Sequence, residues 1–299
     1  MKSFSQHTKE ELCKTDNSRE CCYTAEHLGL SLFGASITQK SIKFVTENID
    51  VHSNYIKLAD KMGLNQETDN VTEKNSRYIA ENKDGVLIEN LLYDLRLIDS
   101  ETGVIRYRID EDIIKDECCR RALIKGAFLA GGTVIDPQKN YNLELVTPYM
   151  GLSQDMQREL TKAGFDFKVI NRKSKYVLYM KNSDSIADFL SYMGAYRAQM
   201  ELINIKIEKE IRNDFNRAAN SETANLFKTI NASVEQVHAI EKIKKSIGLD
   251  NLPEDLREVA VLRLENKEMS LAELGGMMNP PLTKSGVNHR LKKLIEMAK

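Results

Sequence analysis

Long apolar runs are missing from this 299-residue chain. A helix that spans a bilayer needs ~20 consecutive apolar residues, so the sequence predicts no membrane segment. The opening MKSFSQHTKEEL lacks the hydrophobic core of a secretory signal, and the expected location is the cytoplasm. Tryptophan is absent, while charged residues make up 29% and hydrophobic residues 41% of the chain, the balance of a soluble globular protein. An excess of either charge is also missing. The formal net charge is −1, so no whole-molecule field draws the chain to nucleic acid, and any attraction must come from a local patch. The length leaves room for two domains, or for one large domain with an appendage.

Cysteine is scarce, with five residues: Cys13 alone, and the adjacent pairs Cys21-Cys22 and Cys118-Cys119. Zinc sites usually space their cysteines as C-x-x-C so that both sulfurs reach one ion. Neighbours on a helix diverge by about 100° and do this badly. The expectation is therefore small, buried, weakly polar side chains in a reducing compartment, with zinc binding or redox sensing as the competing reading. No metal site and no cofactor are assigned.

The pairs also mark a repeat. ECCYTAEHLGLSLFGA from Glu20 and ECCRRALIKGAFLAGG from Glu117 align without a gap, matching Ala25 with Ala122, Gly29 with Gly126, Leu32 with Leu129 and Gly34 with Gly131. SIKFVTEN from Ser41 then answers NLELVTPY from Asn142, and LIENLLYDL answers IADFLSYMG. Landmarks in one order argue for a duplicated unit of about a hundred residues.

Each unit opens with a helix rich in small residues and continues with strand-like alternation, as in Ile42–Val45 and Leu143–Val146. An amphipathic helix follows (Asn54–Met62; Ser153–Ala163). A second strand pair comes next, seen as Asp166–Ile170 and Tyr176–Met180, before a closing helix at Ser183–Met193. The fold class is α+β: a duplicated α-β-β-α-β-β-α domain, then a helical linker and an all-α helix-turn-helix domain. The expected boundaries are 1–205 for the duplicated domain, with repeats at about 15–105 and 112–205. The linker takes 206–250 and the last domain 251–299, its helix-turn-helix at about 269–299. Helices on one sheet face leave the other face open as a concave saddle. Glycines in both first helices would let those helices approach closely, since glycine inside a helix otherwise costs ~1 kcal/mol relative to alanine.

GAFLAGGTV, from Gly126 to Val134, resembles a degraded LAGLIDADG motif, and the two-copy layout is similar to the homing endonucleases that carry it. In that family the last acidic residue of each motif binds the catalytic metal. The matching positions are Gly34 and Gly131, which offer no carboxylate for Mg²⁺. Asp136 belongs to the following loop. The resemblance therefore implies a scaffold and no catalysis.

Between Tyr196 and Leu249 there is no proline, and the pattern is helical. Ile203, Ile207, Ile211 and Phe215 form one apolar stripe. Asn220-Ser221-Glu222 suggests a cap and restart, after which Ala232, Val237, Ile240, Ile243 and Ile247 share a face. Asn213, Asn216, Arg217, Asn220, Asn225 and Lys228 form a dense set of amides and cations, suited either to phosphates and bases or to capping a helix hairpin.

The last domain carries the sharpest pattern. Pro253 and Glu254-Asp255 suit a helix start, with Leu256, Ala260 and Leu264 inward. Ser270 with Glu273 makes a capping box, Asn279-Pro280-Pro281 breaks that helix, and Thr283 or Ser285 caps the last one. There Val287, Leu291, Leu294 and Ile295 define the buried stripe, leaving Lys284, Ser285, Asn288, His289, Lys292 and Lys293 outward, with Arg290 at the flank. From Thr283 onward Lys284, Arg290, Lys292, Lys293 and Lys299 face a single acid, Glu296. Asparagine and arginine can bond bidentately to adenine and guanine edges, while lysines and the helix N-terminus hold phosphates. The DNA-binding set is thus Ser270, Thr283, Lys284, Ser285, Asn288, His289, Arg290, Lys292 and Lys293.

The order of a degenerate LAGLIDADG-like repeat, NRAANSETANLFKT and SLAELG…LTKSGVNHRLKKL is similar to the WhiA family of bacterial regulators of sporulation and cell division. The resemblance implies a sequence-specific, non-catalytic double-stranded DNA-binding transcription factor in cell division, chromosome segregation and sporulation. It also implies association with the nucleoid and a partner such as RNA polymerase or another transcription factor. The competing reading is a protein-interaction module that acts on a division or transcription partner through the saddle, with DNA binding secondary. Its strands carry Lys43, Lys168 and Lys175 but also Glu47 and Glu144, so charge does not separate the two.

Overall fold

A computed structural model describes residues 2–15, 19–64, 77–99 and 101–299. Two compact units divide the chain, Met1–Lys209 and Glu210–Lys299. In the first unit α1 (Phe4–Cys13) precedes one copy of the repeat: α2 (Glu20–Gly34), β1 (Ala35–Ile37), β2 (Ile42–Thr46), α3 (Ile49–Lys61), β3 (Tyr78–Asn82) and α4 (Gly85–Asp94). The second copy comprises α5 (Glu117–Gly131), β4 (Gly132–Val134), β5 (Leu143–Thr147), α6 (Met150–Lys162), β6 (Lys168–Arg172), β7 (Lys175–Met180) and α7 (Ser183–Met193). The second copy has the expected α-β-β-α-β-β-α order. In the first, β3 pairs with β2 as β7 does with β5, and the remaining strand expected there falls on residues outside those described.

Both sheets are antiparallel, ordered β1-β2-β3 and β4-β5-β7-β6. Period-two alternation sends Ile42 and Phe44, or Leu143 and Leu145, into the core. Lys43 and Val45, and Glu144 and Val146, point the other way, half-buried or exposed. The outer charges neutralise in part, with Arg172 Nη2 lying 2.9 Å from Glu144 Oε2.

The core centres on α2 and α5, which pack along their whole length. A Cβ on Gly126 would lie 2.1 Å from the Glu26 carbonyl oxygen, and one on Gly29 2.3 Å from that of Leu123. Only glycine admits this approach, and close packing offsets its conformational cost. Between these helices Lys125 Nζ meets Glu26 Oε2 at 3.1 Å, both side chains almost fully buried. Asn54 donates to Glu26 at 2.8 Å and Lys125 donates to the Thr15 carbonyl at 3.0 Å. Each buried charge is therefore both paired and hydrogen-bonded, as burial demands.

Two features of this unit depart from the sequence reading. Helix α1 was not expected, although Ser3 and Gln6 form a full capping box at its start. Adjacent cysteines were expected to diverge, but the sulfurs of Cys21, Cys22, Cys118 and Cys119 all lie within 4.8 Å of one another. Two parallel helices, each contributing its first turn, bring together what one helix alone would splay.

A single helix, α8 (Tyr196–Ser246), replaces the expected helix–break–helix. Nothing from Asn220 to Glu222 forces an end, because neither proline nor glycine is present and the Ala-rich surroundings favour helix. The stripe of Ile207, Ile211 and Phe215 is exposed, Phe215 to 74%. The buried face further on is Ser233, Gln236, Ala239, Ile240 and Ile243, while Ala232 and Ile247 are exposed. The second unit is completed by α9 (Glu254–Glu265), α10 (Leu271–Met277) and α11 (Lys284–Met297). Its core joins Ile240 and Ile243 to Leu256, Val259, Ala260, Leu274, Met278, Val287, Leu291 and Leu294. Among the described residues no helix is long and apolar enough to cross a membrane.

Candidate nucleic-acid interface

Helix α10 begins where the capping box fixes it: the Ser270 hydroxyl accepts from the Glu273 N–H at 3.3 Å, and Glu273 Oε2 accepts from the Ser270 N–H at 2.8 Å. It ends in a turn through the cis Asn279–Pro280 peptide. The Leu282 N–H donates back to the Gly275 carbonyl at 2.9 Å. A Cβ on Gly275 would lie 2.2 Å from the Leu282 carbonyl oxygen, so glycine lets the turn fold against α10. From α9, Glu258 accepts from the Asn279 N–H at 2.9 Å. Arg263, 2% exposed, holds the other end of the motif: its Nη1 donates 2.7 Å to the Met269 carbonyl, just before the Ser270 cap. Burial lowers its affinity for the proton. Sequence patterning places an arginine at the surface and misses this role.

Thr283, not Ser285, caps α11, its hydroxyl accepting from the Gly286 N–H at 3.3 Å. Val287, Leu291 and Leu294 are buried at i, i+4, i+7. At about 100° per residue, the row opposite them is Ser285, His289, Lys292 and Glu296, all exposed. Lys293 extends that face on one side, Lys284 and half-buried Asn288 on the other. Among the described residues Lys284, Lys292 and Lys293 have no hydrogen-bond or ion-pair partner inside the protein. Seven of the nine expected DNA-binding residues thus gather on or beside one helix face, Ser270 is a cap on α10, and Arg290 is placed differently.

Arg290 turns toward α9. Its Nη1 donates to the Asp255 carbonyl at 3.3 Å, its Nε lies 3.8 Å from Asp255 Oδ2, and its Nη1 lies 4.0 Å from Glu258 Oε2. Its side chain is 24% exposed. The position sits near the edge of the buried stripe, within reach of the acidic first turns of α9, and opposite charge captures it there. The sequence reading gives Asp255 only a part in the helix start and gives Glu258 no role.

The amide-rich part of α8 is a continuous exposed face. Asn213, Asn216, Asn220, Asn225 and Lys228 are exposed, and Arg217 pairs with Asp214. None of these asparagines caps a hairpin, because the helix has no break there.

In the first unit the two motif positions converge. A Cβ on Gly34 would meet Ala130 Cβ at 2.9 Å, and one on Gly131 would meet Phe33 Cβ at 3.3 Å. The C-terminal ends of α2 and α5 therefore face each other without a carboxylate at either position.

Residues 215–298 match the model of the WhiA C-terminal HTH domain, and residues 120–212 that of the WhiA LAGLIDADG-like domain. The "Probable cell division protein WhiA" of Alkaliphilus metalliredigens is 39% identical, covering 99% of this chain and 97% of that protein. The protein of the same description from Thermoanaerobacter pseudethanolicus is 40% identical over the same shares. The chain belongs to the WhiA family. The crystal structure of full-length DUF199/WhiA from Thermatoga maritima is similar with a TM-score of 0.61 and 28% identity, covering 99% of this chain and 98% of that one. The WhiA N-terminal LAGLIDADG domain, solved separately, has a TM-score of 0.52 at 19% identity, over 65% of this chain and 94% of that one, and bears on the fold alone. A family with both a degenerate LAGLIDADG-like domain and a C-terminal helix-turn-helix is what the repeat and the last thirty residues implied.

Proposed function

We propose that this chain is a sequence-specific double-stranded DNA-binding regulator of transcription, with α11 as its reading helix. The carrying observation is the exposed row of Ser285, His289 and Lys292, flanked by unpaired Lys284 and Lys293 and set behind a capped α10. That is the build of a helix entering a major groove. Asn288 and His289 supply hydrogen bonds to base edges, and the lysines with the Thr283-capped N-terminus hold phosphates. The description of the relatives as cell division proteins supports a role in division, extended here to chromosome segregation and sporulation. The working location is the cytoplasm, on the nucleoid. The chain is not a nuclease on this reading, because glycine stands at both positions where a carboxylate would hold a divalent ion.

The test is retention of genomic fragments on the full-length protein, followed by sequencing. Wild type should enrich a defined set of sites, and a variant carrying alanine at Ser285, His289 and Lys292 should lose that set while its helicity is unchanged. Equal enrichment by both proteins would remove α11 as the reader and favour action through the sheets on RNA polymerase or another transcription factor.

A further inference from the structure

We propose that Cys21, Cys22, Cys118 and Cys119 bind a single zinc ion as four thiolates, joining the two copies of the repeat at the N-terminal ends of α2 and α5. Sulfur positions carry the inference. The Sγ atoms of Cys21 and Cys22 are 3.9 Å apart, those of Cys118 and Cys119 4.0 Å, and all four lie within 4.8 Å of one another. A zinc ion with Zn–S bonds of about 2.3 Å has sulfur–sulfur edges of about 3.8 Å. The cluster reaches that geometry by contracting less than about an ångström. A polynuclear iron–sulfur core places several atoms between its thiolates and needs them spread further apart. Cys13, the remaining cysteine, is not in the cluster.

The surroundings suit an anionic tetrathiolate centre. Four thiolates around Zn²⁺ carry two net negative charges. Arg19 Nη1 lies 3.8 Å from Cys118 Sγ. Arg121 lines the cavity that Cys22 and Cys118 open onto. All four cysteines sit in the first turns of two fifteen-residue helices, whose positive ends favour bound negative charge. Cys22 and Cys119 are buried, while Cys21 is exposed, so the ion has a floor inside the protein and a route in from solvent. With four protein ligands and no open position, such an ion is structural. It ties together helix ends that lie beyond the glycine contact at mid-helix, and binding releases the thiol protons to solvent.

The experiment uses the full chain, purified without oxygen and without chelator. Elemental analysis should find about one zinc per chain. Cys22→Ser and Cys118→Ser should each lose it, and Cys13→Ser should keep it. Because the serine variants could fail to fold, wild-type protein is also stripped and titrated with Co²⁺. The intense thiolate-to-metal and visible absorption of tetrahedral Co²⁺ should appear, saturate at one equivalent and be displaced by Zn²⁺. In the zinc-loaded protein four thiols should resist alkylation until a chelator is added. The proposal is overturned by wild type that holds no metal and whose cysteines alkylate freely, by stoichiometric iron in place of zinc, or by a disulfide between α2 and α5 in the anaerobic preparation.

Discussion

Replacing Lys292 with alanine removes one of three unpaired cations from α11, and its effect can be worked out before it is measured. Each phosphate neutralised by a protein cation contributes about 0.9 to the slope of log K against log salt. Lys284, Lys292 and Lys293 together then supply a slope of about 2.7, and Lys292→Ala removes roughly a third of it. A fourfold rise in salt would weaken wild type by roughly 3.5-fold more than the variant, on every sequence alike. Arg290→Ala should behave in the opposite manner. Its guanidinium is held by the Asp255 carbonyl and by two carboxylates at 3.8 and 4.0 Å, so the loss falls on folding, on the order of 1 kcal/mol. For a domain of this size that is a fall in Tm of roughly 4–8 °C in the C-terminal transition, with the salt slope unchanged. Fluorescence anisotropy on a duplex across a salt series, beside thermal unfolding, measures both. An unchanged slope for Lys292→Ala refutes the placement of α11 on DNA. A reduced slope for Arg290→Ala at unchanged Tm refutes the assignment of Arg290 to the packing of α9 and α11.

His27 is fully buried against Tyr55, both ring nitrogens lack a hydrogen-bond partner among the described residues, and burial lowers its pKa from the ordinary 6.5 to about 4. The unfolded chain therefore binds the proton first: stability is full above about pH 6.5 and falls as pH drops toward 4, by roughly 3 kcal/mol. His27→Phe should flatten that part of the urea-unfolding profile, and a variant with the wild-type pH dependence would contradict the assignment. Gly126→Ala drives a Cβ to 2.1 Å from the Glu26 carbonyl oxygen; α2 and α5 must separate, at a cost of about 1–3 kcal/mol or more, read as a lower midpoint for the N-terminal unit. Arg263→Met removes the charge-assisted bond to the Met269 carbonyl and should destabilise the helix-turn-helix by about 1.5–3 kcal/mol, lowering DNA affinity in proportion to the unfolded fraction. Equal stability of the variant and wild type would count against that role.

The parts of this fold that follow from local periodicity were legible in the sequence. Leu143–Val146 alternates and forms β5; Ser183–Met193 repeats at helical spacing and forms α7; Ser270 with Glu273 caps α10. The two-copy order was legible because duplicated landmarks survive in both halves. What escaped depends on distance through space. A cap-like Asn220-Ser221 is equally compatible with an exposed helix interior, and nothing local distinguishes the two, so α8 runs on. Arg290 looks like a reader on a helical wheel, but its guanidinium reaches beyond its own helix and finds Asp255. The cysteine pairs are poor ligands within one helix; their meaning appears only when the second helix supplies the other half.

The packing of the two copies through α2 and α5 explains why these features stand where they do. Parallel packing of α2 on α5 sets each residue near its counterpart in the other copy, so whatever occupies the helix ends is doubled. At the C-terminal ends the doubled residue is glycine, Gly34 with Gly131, and the pair cannot hold a divalent ion. At the N-terminal ends it is a cysteine pair, and doubling makes four thiols. The middle breaks the symmetry. Glu26 pairs with Lys125, but in the repeat alignment Glu26 corresponds to Leu123 and Lys125 to Leu28. Two first copies packed together would bury Glu26 without a cation, and two second copies would bury Lys125 without a carboxylate. Leaving one member of such a pair unmatched costs about 3–5 kcal/mol, and a symmetric dimer of like copies would incur that twice. The ion pair therefore selects pairing of the first copy with the second. Glu26→Leu with Lys125→Leu, combined with Asn54→Leu so that the buried amide that donates to Glu26 is not left unpaired, should leave the fold intact, since apolar residues can replace a buried ion pair with little loss. It should also remove that selection, so that separately expressed halves, mixed after unfolding, associate without regard to copy. Retained preference for the mixed pair would show that the glycine contact alone specifies it.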